Sequence, residues 1–410
     1  MRTFCVASNW ERELIEGLAK YPEVKWVFAK LQTDIIGGGR SSFTLPEISR
    51  QQAEEYIRYV HSKGIKFNYL FNASCLGNIE FTKKGRARII KELDWAVYKA
   101  NVDSITISTN YLFKLIKKNY PKIKIWMGIF IQARDLEQFK YFDDAGADML
   151  TVPHTFMKYY TFLEKLRRVV RCNLQILVND VEGYWCPNTV FHINAFSHMS
   201  QKNNLSKKLW VDPWNWGCVK SIIEKPEELI KSNWVRPEDL SIYERMGYKH
   251  FKIVDRGRST PWLLRVVRAY VDRKYEGNIF DILKLGIIPG REDACKKVSK
   301  EFCNYFLKNY DSRKEWLKIY FGKYKEGLPC FYNRDLKNFA NYFWKHKCNL
   351  TNCYECTYCK KVAKAISFKN PKARKDLIRI LENSIDAFLH NELFQSKESS
   401  EKNLKICRAL

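Results

Sequence analysis

The chain has 410 residues, a net charge of +26, 46% hydrophobic residues and 15% aromatics. That apolar content supports a buried core and excludes a disordered chain, while no run approaches the ~18 apolar residues of a membrane span. The charge favours a polyanion or an acidic substrate, although Lys117-Lys118, Arg167-Arg168, Lys207-Lys208 and Lys296-Lys297 spread it along the chain instead of forming one stripe.

From the first residues to about Gly277, short apolar runs alternate with helical patterns. Strands are expected at Thr3–Ala7, Val24–Ala29, Lys66–Phe71, Val102–Ile107, Ile123–Phe130, Met149–Val152, Leu174–Val178 and Phe251–Val254. Amphipathic helices are expected between them, among others at Ile48–His61, Ala87–Lys99, Leu136–Ala145 and Tyr160–Val170. Gly64, Gly146 and Gly247 each stand where a helix stops before a strand. Eight strands at a repeat of roughly thirty residues predict a (β/α)8, TIM-like barrel over 1–285. A doubly wound sheet is disfavoured because no G-x-G-x-x-G turn follows the first strand. The long gap before the eighth strand holds a short extra run, Leu209–Val211, and the turn DPWNWGC.

Beyond Leu285 the alternation stops. A smaller helical domain is expected over 286–395, with helices at Glu292–Tyr324, Asp335–His346 and Lys372–Leu393, followed by a frayed polar tail, 396–410. This domain contains CNLTNCYECTYC, in which Cys348, Cys353, Cys356 and Cys359 follow a C-x4-C-x2-C-x2-C spacing. Two disulfides in so short a run would be strained, so the spacing points to metal-binding thiolates. Its C-x2-C steps suit an iron–sulfur cluster, 4Fe-4S by preference, with structural zinc or free thiols as alternatives. Thirteen cysteines and an N-terminus without a secretory pattern point to a reducing cytoplasm.

Functional side chains in such barrels stand where strands end. The candidates so placed are Ser8, Asn9, Lys30, Asp34, Asn72, Cys75, Thr109, Asn110, Gln132, Arg134, His154, Asn179, Asp180, Glu182, Cys186, His192, Asp255, Arg256 and Arg258, with Asn72, Cys75, Asn179, Cys186, His192 and Arg256 foremost. Asn72, Asn179, His192 and Arg256 are the expected catalytic set. Gly37-Gly38-Gly39-Arg40 could offer backbone N–H groups to an anion, with Arg40 gripping a carboxylate or phosphate. Arg40, Arg134 and Arg256 would hold an anionic co-substrate. Cys75, Cys186 and Cys218 lie in loops on or near the same face and could converge on a second cluster, although a lone cysteine is more often core.

The segments ILVNDVEGYWCPNTVFHINAFSH, FNYLFNASCLGN and FKIVDRG resemble the collagenase-like peptidase family U32 over about 1–285. KSNWVRPEDLSIYERMGYKHFKIVDR, FYNRDL and the cysteine run resemble its branch with a cysteine-rich tail. Despite the family name, the resemblance implies iron–sulfur proteins of oxygen-independent hydroxylation, acting on RNA bases or a quinone ring with prephenate as oxygen source, and working in some cases with a related subunit. The family's barrel cluster takes four cysteines, whereas Cys75, Cys186 and Cys218 offer three, leaving the fourth place to Glu182, water or substrate. The resulting expectation is one or two clusters and a hydroxylation-type modification of an RNA base, peptide or small metabolite in an anaerobe. The alternatives are a peptidase or other hydrolase, as the family name implies, and a non-catalytic RNA-binding protein with structural zinc. No protease triad and no H-E-x-x-H motif is present.

Overall fold

In the computed structural model, residues 1–42, 45–183, 186–202, 213–284, 325–336, 338–346, 348 and 353–390 are described. Eight parallel strands close into a barrel in chain order: β1 (Thr3–Ala7), β2 (Val24–Ala29), β3 (Lys66–Phe71), β4 (Ser104–Ile107), β5 (Lys124–Met127), β6 (Met149–Thr151), β7 (Asn173–Leu177) and β8 (His250–Ile253). β8 returns to β1 with Cys5 opposite Lys252. Each strand lies within a few residues of its expected place. The expected run Leu209–Val211 and helix Glu292–Tyr324, the boundary at 285 and the tail 396–410 lie outside the described residues.

Helices α1 (Arg12–Leu18), α2 (Arg50–Ser62), α3 (Lys83–Asp94), α4 (Asn110–Asn119), α5 (Leu136–Asp144), α6 (Tyr160–Val169), α7 (Thr189–Met199), α8 (Pro213–Glu224), α9 (Glu227–Lys231), α10 (Leu240–Arg245) and α11 (Thr260–Asp272) follow the strands. Local chemistry fixes where several begin. Ser49 and Gln52 form a reciprocal capping box at α2, and Thr109, Asp135 and Ser259 accept N–H groups at the starts of α4, α5 and α11. Gly64, Gly146 and Gly247 have φ of 71°, 88° and 91°, the left-handed conformation in which glycine ends a helix without a Cβ clash.

The barrel is plugged at mid-height. Asn68 donates to Ser104 Oγ at 2.7 Å and accepts from Thr106 Oγ1 at 2.7 Å, all three being buried. Side chains therefore fill the interior at this level.

The C-terminal segment packs against this barrel. A two-stranded antiparallel sheet, β9 (Pro329–Cys330) with β10 (Ser367–Phe368), accompanies α12 (Phe339–Lys345), α13 (Tyr358–Ala363) and α14 (Pro371–Leu389). Phe339 of α12 stacks on Trp234 with centroids 5.3 Å apart, and Phe331, Leu336 and Phe343 join the barrel's apolar core. The segment thus shares the barrel's core, and the expected separate metal-binding unit does not stand apart as one.

Candidate functional site

β6 and β7 are hydrogen-bonded neighbours, so the residues leaving their ends arrive side by side. After β6, Pro153 leads into a 3-10 turn, His154–Phe156. After β7, the chain bends at Asn179 and runs through Asp180, in an isolated bridge with Lys284, to Glu182. His154 Nε2 lies 3.5 Å from Asp180 Oδ2, and His154 Nδ1 lies 3.3 Å from Glu182 Oε2. Each imidazole nitrogen thus faces its own carboxylate. Ligand atoms of the three side chains all lie within 4.8 Å of one another.

Two further contacts fix the carboxylates. Lys284 forms an isolated bridge with Asp180, its N–H donating to Asn179 O at 2.7 Å, and brings its Nζ to 2.8 Å from Asp180 Oδ1. Asn233 Oδ1 accepts the Glu182 N–H at 2.9 Å. Burial opposes charge on all three groups, but their mutual attraction wins. Glu182 and Asp180 raise His154 to about 9, His154 holds Glu182 at about 2, and Lys284 with His154 holds Asp180 well below the usual carboxylate range. His154 Nε2 is nevertheless buried without a hydrogen-bond partner, since Asp180 is too far for one.

His154 and Glu182 form a wall common to two pockets, and Asp180 lines the larger of them. One, of about 580 Å³ and open to solvent, is also lined by Arg40, Asn72, His192, Lys252, Asp255 and Arg256 among apolar side chains. The other, of about 370 Å³, is lined by Gln132, Thr155, Gly183, Thr189 and Asn233. Of the expected site residues, Asn72, His192, Arg256 and Arg40 therefore share one cavity. His192 meets Phe196 edge-on at 4.2 Å, and Arg40 Nε sits 3.4 Å from Asp255 Oδ1.

Other expected residues have structural partners. Asn179 is fully buried and clamps the end of β7 to that of β8, donating to Val254 O and accepting the Val254 N–H at 2.8 Å. Arg134 is exposed, and neither pocket includes it. The glycine loop spends its N–H groups internally: Gly37 on Asp34, Gly38 on Ser200 Oγ at 2.6 Å and Gly39 on Asn72 Oδ1 at 3.2 Å. A Cβ at Gly39 would meet Phe130 at 2.9 Å, so glycine serves close packing here. The loop positions Arg40 but presents no anion cradle.

The cofactor expectation requires correction. Among the described residues, His154, Asp180 and Glu182 are the one group of three or more His, Cys, Asp or Glu side chains with converging ligand atoms, and no cysteine belongs to it. Cys356 is exposed while Cys359 is buried, and burial pushes the Cys359 thiol up to about 11. Cys186 and Cys218 approach to 3.9 Å as a pair, whereas Cys75 Sγ accepts the Gly77 N–H at 3.4 Å. The expected 4Fe-4S clusters, and the hydroxylation chemistry built on them, give way to a nitrogen–oxygen donor set of the kind zinc accepts. Zinc was expected as the alternative, but in the tail; the converging donors stand at the barrel mouth.

Two cations at the mouth were not anticipated. Lys252 lies within β8, where an apolar residue is the usual expectation, and Lys284 lies beyond the last strand. Alternation of polar and apolar residues along HFKI is the signal that could have found Lys252.

The chain is 27% identical over 341 residues to the uncharacterized protease MJ1657 of Methanocaldococcus jannaschii, an alignment covering 82% of this chain and 87% of that protein. Among solved structures, the U32 peptidase Mk0906 aligns with a TM-score of 0.47 and 17% identity, over 62% of this chain and 93% of that one. An O-GlcNAc hydrolase mutant of Thermobaculum terrenum aligns with a TM-score of 0.34 and 11% identity, over 96% and 95%. No protein-family model matches the chain. Among the described residues, no helix is long and apolar enough to cross a membrane.

Proposed function

We propose that the chain is a hydrolase of peptidase type, with its reaction centre at His154, Asp180 and Glu182 and a zinc-class divalent cation as cofactor. The observation carrying this reading is the convergence of one imidazole and two carboxylates, with His154 and Glu182 on the wall between two pockets. The similarity to a protein named a protease supports it. The donor chemistry suits the ion, because zinc takes imidazole nitrogen and carboxylate oxygen together. His154 Nε2, buried without a hydrogen-bond partner, would become a nitrogen ligand once the cation displaced its proton. Bound there, such an ion supplies Lewis-acid polarisation of a carbonyl and a more acidic water.

The chain's own residues do the rest. With the cation on His154 Nε2, Nδ1 would keep its proton towards Glu182 Oε2, 3.3 Å away. Lys284 fixes Asp180, and Asn233 fixes the backbone of Glu182. A substrate lying across both pockets would present its scissile carbonyl at the shared wall. Phe130 and Phe196 give the larger pocket apolar surface beside its charged side chains.

The test is incubation of the full chain, first stripped with a chelator and then given zinc, with a mixture of short peptides followed by mass spectrometry. Cleavage that returns with zinc and is lost in His154→Gln and Glu182→Gln is the expected result. Absence of cleavage with zinc, cobalt and manganese alike would overturn the reading.

A further inference from the structure

The larger pocket carries a charge imbalance at its floor. Its acids are already engaged: Asp255 with Arg40, Asp180 with Lys284 and His154, and Glu182 with His154. Two lining cations are left over. Arg256 is 4% exposed, and its Nη1 is buried without a hydrogen-bond partner. Lys252 is 8% exposed and rests its Nζ on the Phe28 ring, 4.1 Å from the centroid. No carboxylate stands within ion-pair distance of either among the described residues. Burial pushes Lys252 down to about 8 and, with repulsion from Arg40, Arg256 down to about 9. Buried charge of one sign is costly unless paired, so this floor is built for a partner brought from outside.

The shape of the pocket identifies the partner's form. Lys252 belongs to β8 itself, and Leu70 and Leu177, from β3 and β7, line the same cavity. The Asn68–Ser104–Thr106 network closes the barrel interior. A polypeptide therefore cannot thread through, and whatever reaches the floor must end there. The excess cations repel an amino terminus and attract a carboxylate. Phe28, Phe130 and Phe196 offer apolar surface for one side chain.

We propose that the pocket binds the free C-terminal carboxylate of a short peptide, with Arg256 and Lys252 as the anion-binding pair and an apolar last side chain among the phenylalanines. This deepens the hydrolytic reading and rests on it: the reaction would be exopeptidase-like, removing residues from a carboxyl end.

The experiment separates binding from turnover. Calorimetric titration of the full chain in chelator at pH 7, where no metal-dependent cleavage proceeds, would compare the dipeptide Ala-Phe with its C-terminal amide. The free acid is expected to bind about 10- to 100-fold more tightly, as befits charge-assisted hydrogen bonds to two buried cations. Arg256→Gln and Lys252→Met should each abolish that preference and Arg256→Lys should keep part of it, with thermal melts confirming that the variants fold. Equal affinity for acid and amide would overturn the proposal, as would competition by inorganic phosphate at concentrations where acetate has no effect. Preference for the acid without zinc-dependent cleavage would instead leave the carboxylate site standing and remove the hydrolytic reading. Cleavage without such preference would do the reverse.

Discussion

Zinc added to chelator-stripped protein should raise its melting temperature, by an amount that follows from linkage. The three donors already converge within 4.8 Å in the folded chain, and residues 154, 180 and 182 come together only when β6 and β7 pair. The unfolded chain lacks that arrangement, so binding stabilises the native state alone. At free zinc 100 times the dissociation constant the gain is ~2.7 kcal/mol. A domain of this size gains ~2 °C per kcal/mol, giving a shift of about 5 °C. Differential scanning fluorimetry with a metal-buffered zinc series measures it. Glu182→Gln and His154→Gln each remove a donor and should flatten the series, whereas Cys353→Ser with Cys356→Ser should leave it intact. An equal shift in wild type and Glu182→Gln, or one lost only with the cysteine pair, would refute the assignment of the metal to the barrel mouth.

Other residues give independent tests. Asp239 is half-buried near Arg236, and desolvation raises its carboxyl to about 6. Its protonated form therefore stabilises the fold fully below about 3.8, and that contribution is lost as pH rises through about 6. Two units correspond to ~3 kcal/mol, so Asp239→Asn should exceed wild type in urea stability at pH 7 and match it near pH 3.5, less whatever the Arg236 attraction supplied. Cys186 is held down at about 6 by the hydrogen bond with Cys218, 3.9 Å away. It should therefore be the fastest thiol to react with iodoacetamide, about tenfold slower at pH 5 than at pH 8. Cys218→Ala should move that profile upward by peptide-mapped mass spectrometry. Asn179→Ala would leave the Val254 N–H and C=O unsatisfied in a fully buried place. A loss of ~2–4 kcal/mol on urea unfolding is expected, and an unchanged midpoint would mean that the clamp carries no stability.

The barrel was legible because its signals are local. Apolar strand runs, N-cap residues such as Ser49 and Asp135, and the helix-ending Gly64, Gly146 and Gly247 act within a few residues of where they stand. The mouth was legible only in outline. Strand ends pointed to His154, Asp180 and Glu182, but their convergence depends on the register between β6 and β7, which no run of residues records. Asn179 shows the opposite error, since a strand-end amide looks available until both its atoms are found on Val254.

The cysteine run marks the boundary between spacing and geometry. Short spacing limits how far sulfurs can separate, but it does not aim them. Here the chain turns Cys356 to solvent and buries Cys359 in α13. The barrel mouth inverts that relation. Its donors are dispersed, with His154 and Glu182 on successive strand ends and Lys284 more than a hundred residues beyond the imidazole, yet the closed sheet brings them within contact of one another. A closed sheet is rigid, so donors placed on its rim need little reorganisation to receive a ligand. The same rigidity explains why Lys252 on β8, and Arg256 three residues past its end, keep no carboxylate partner among the described residues: the closed strand cannot move aside to hydrate Lys252, and the charge remains until a ligand answers it.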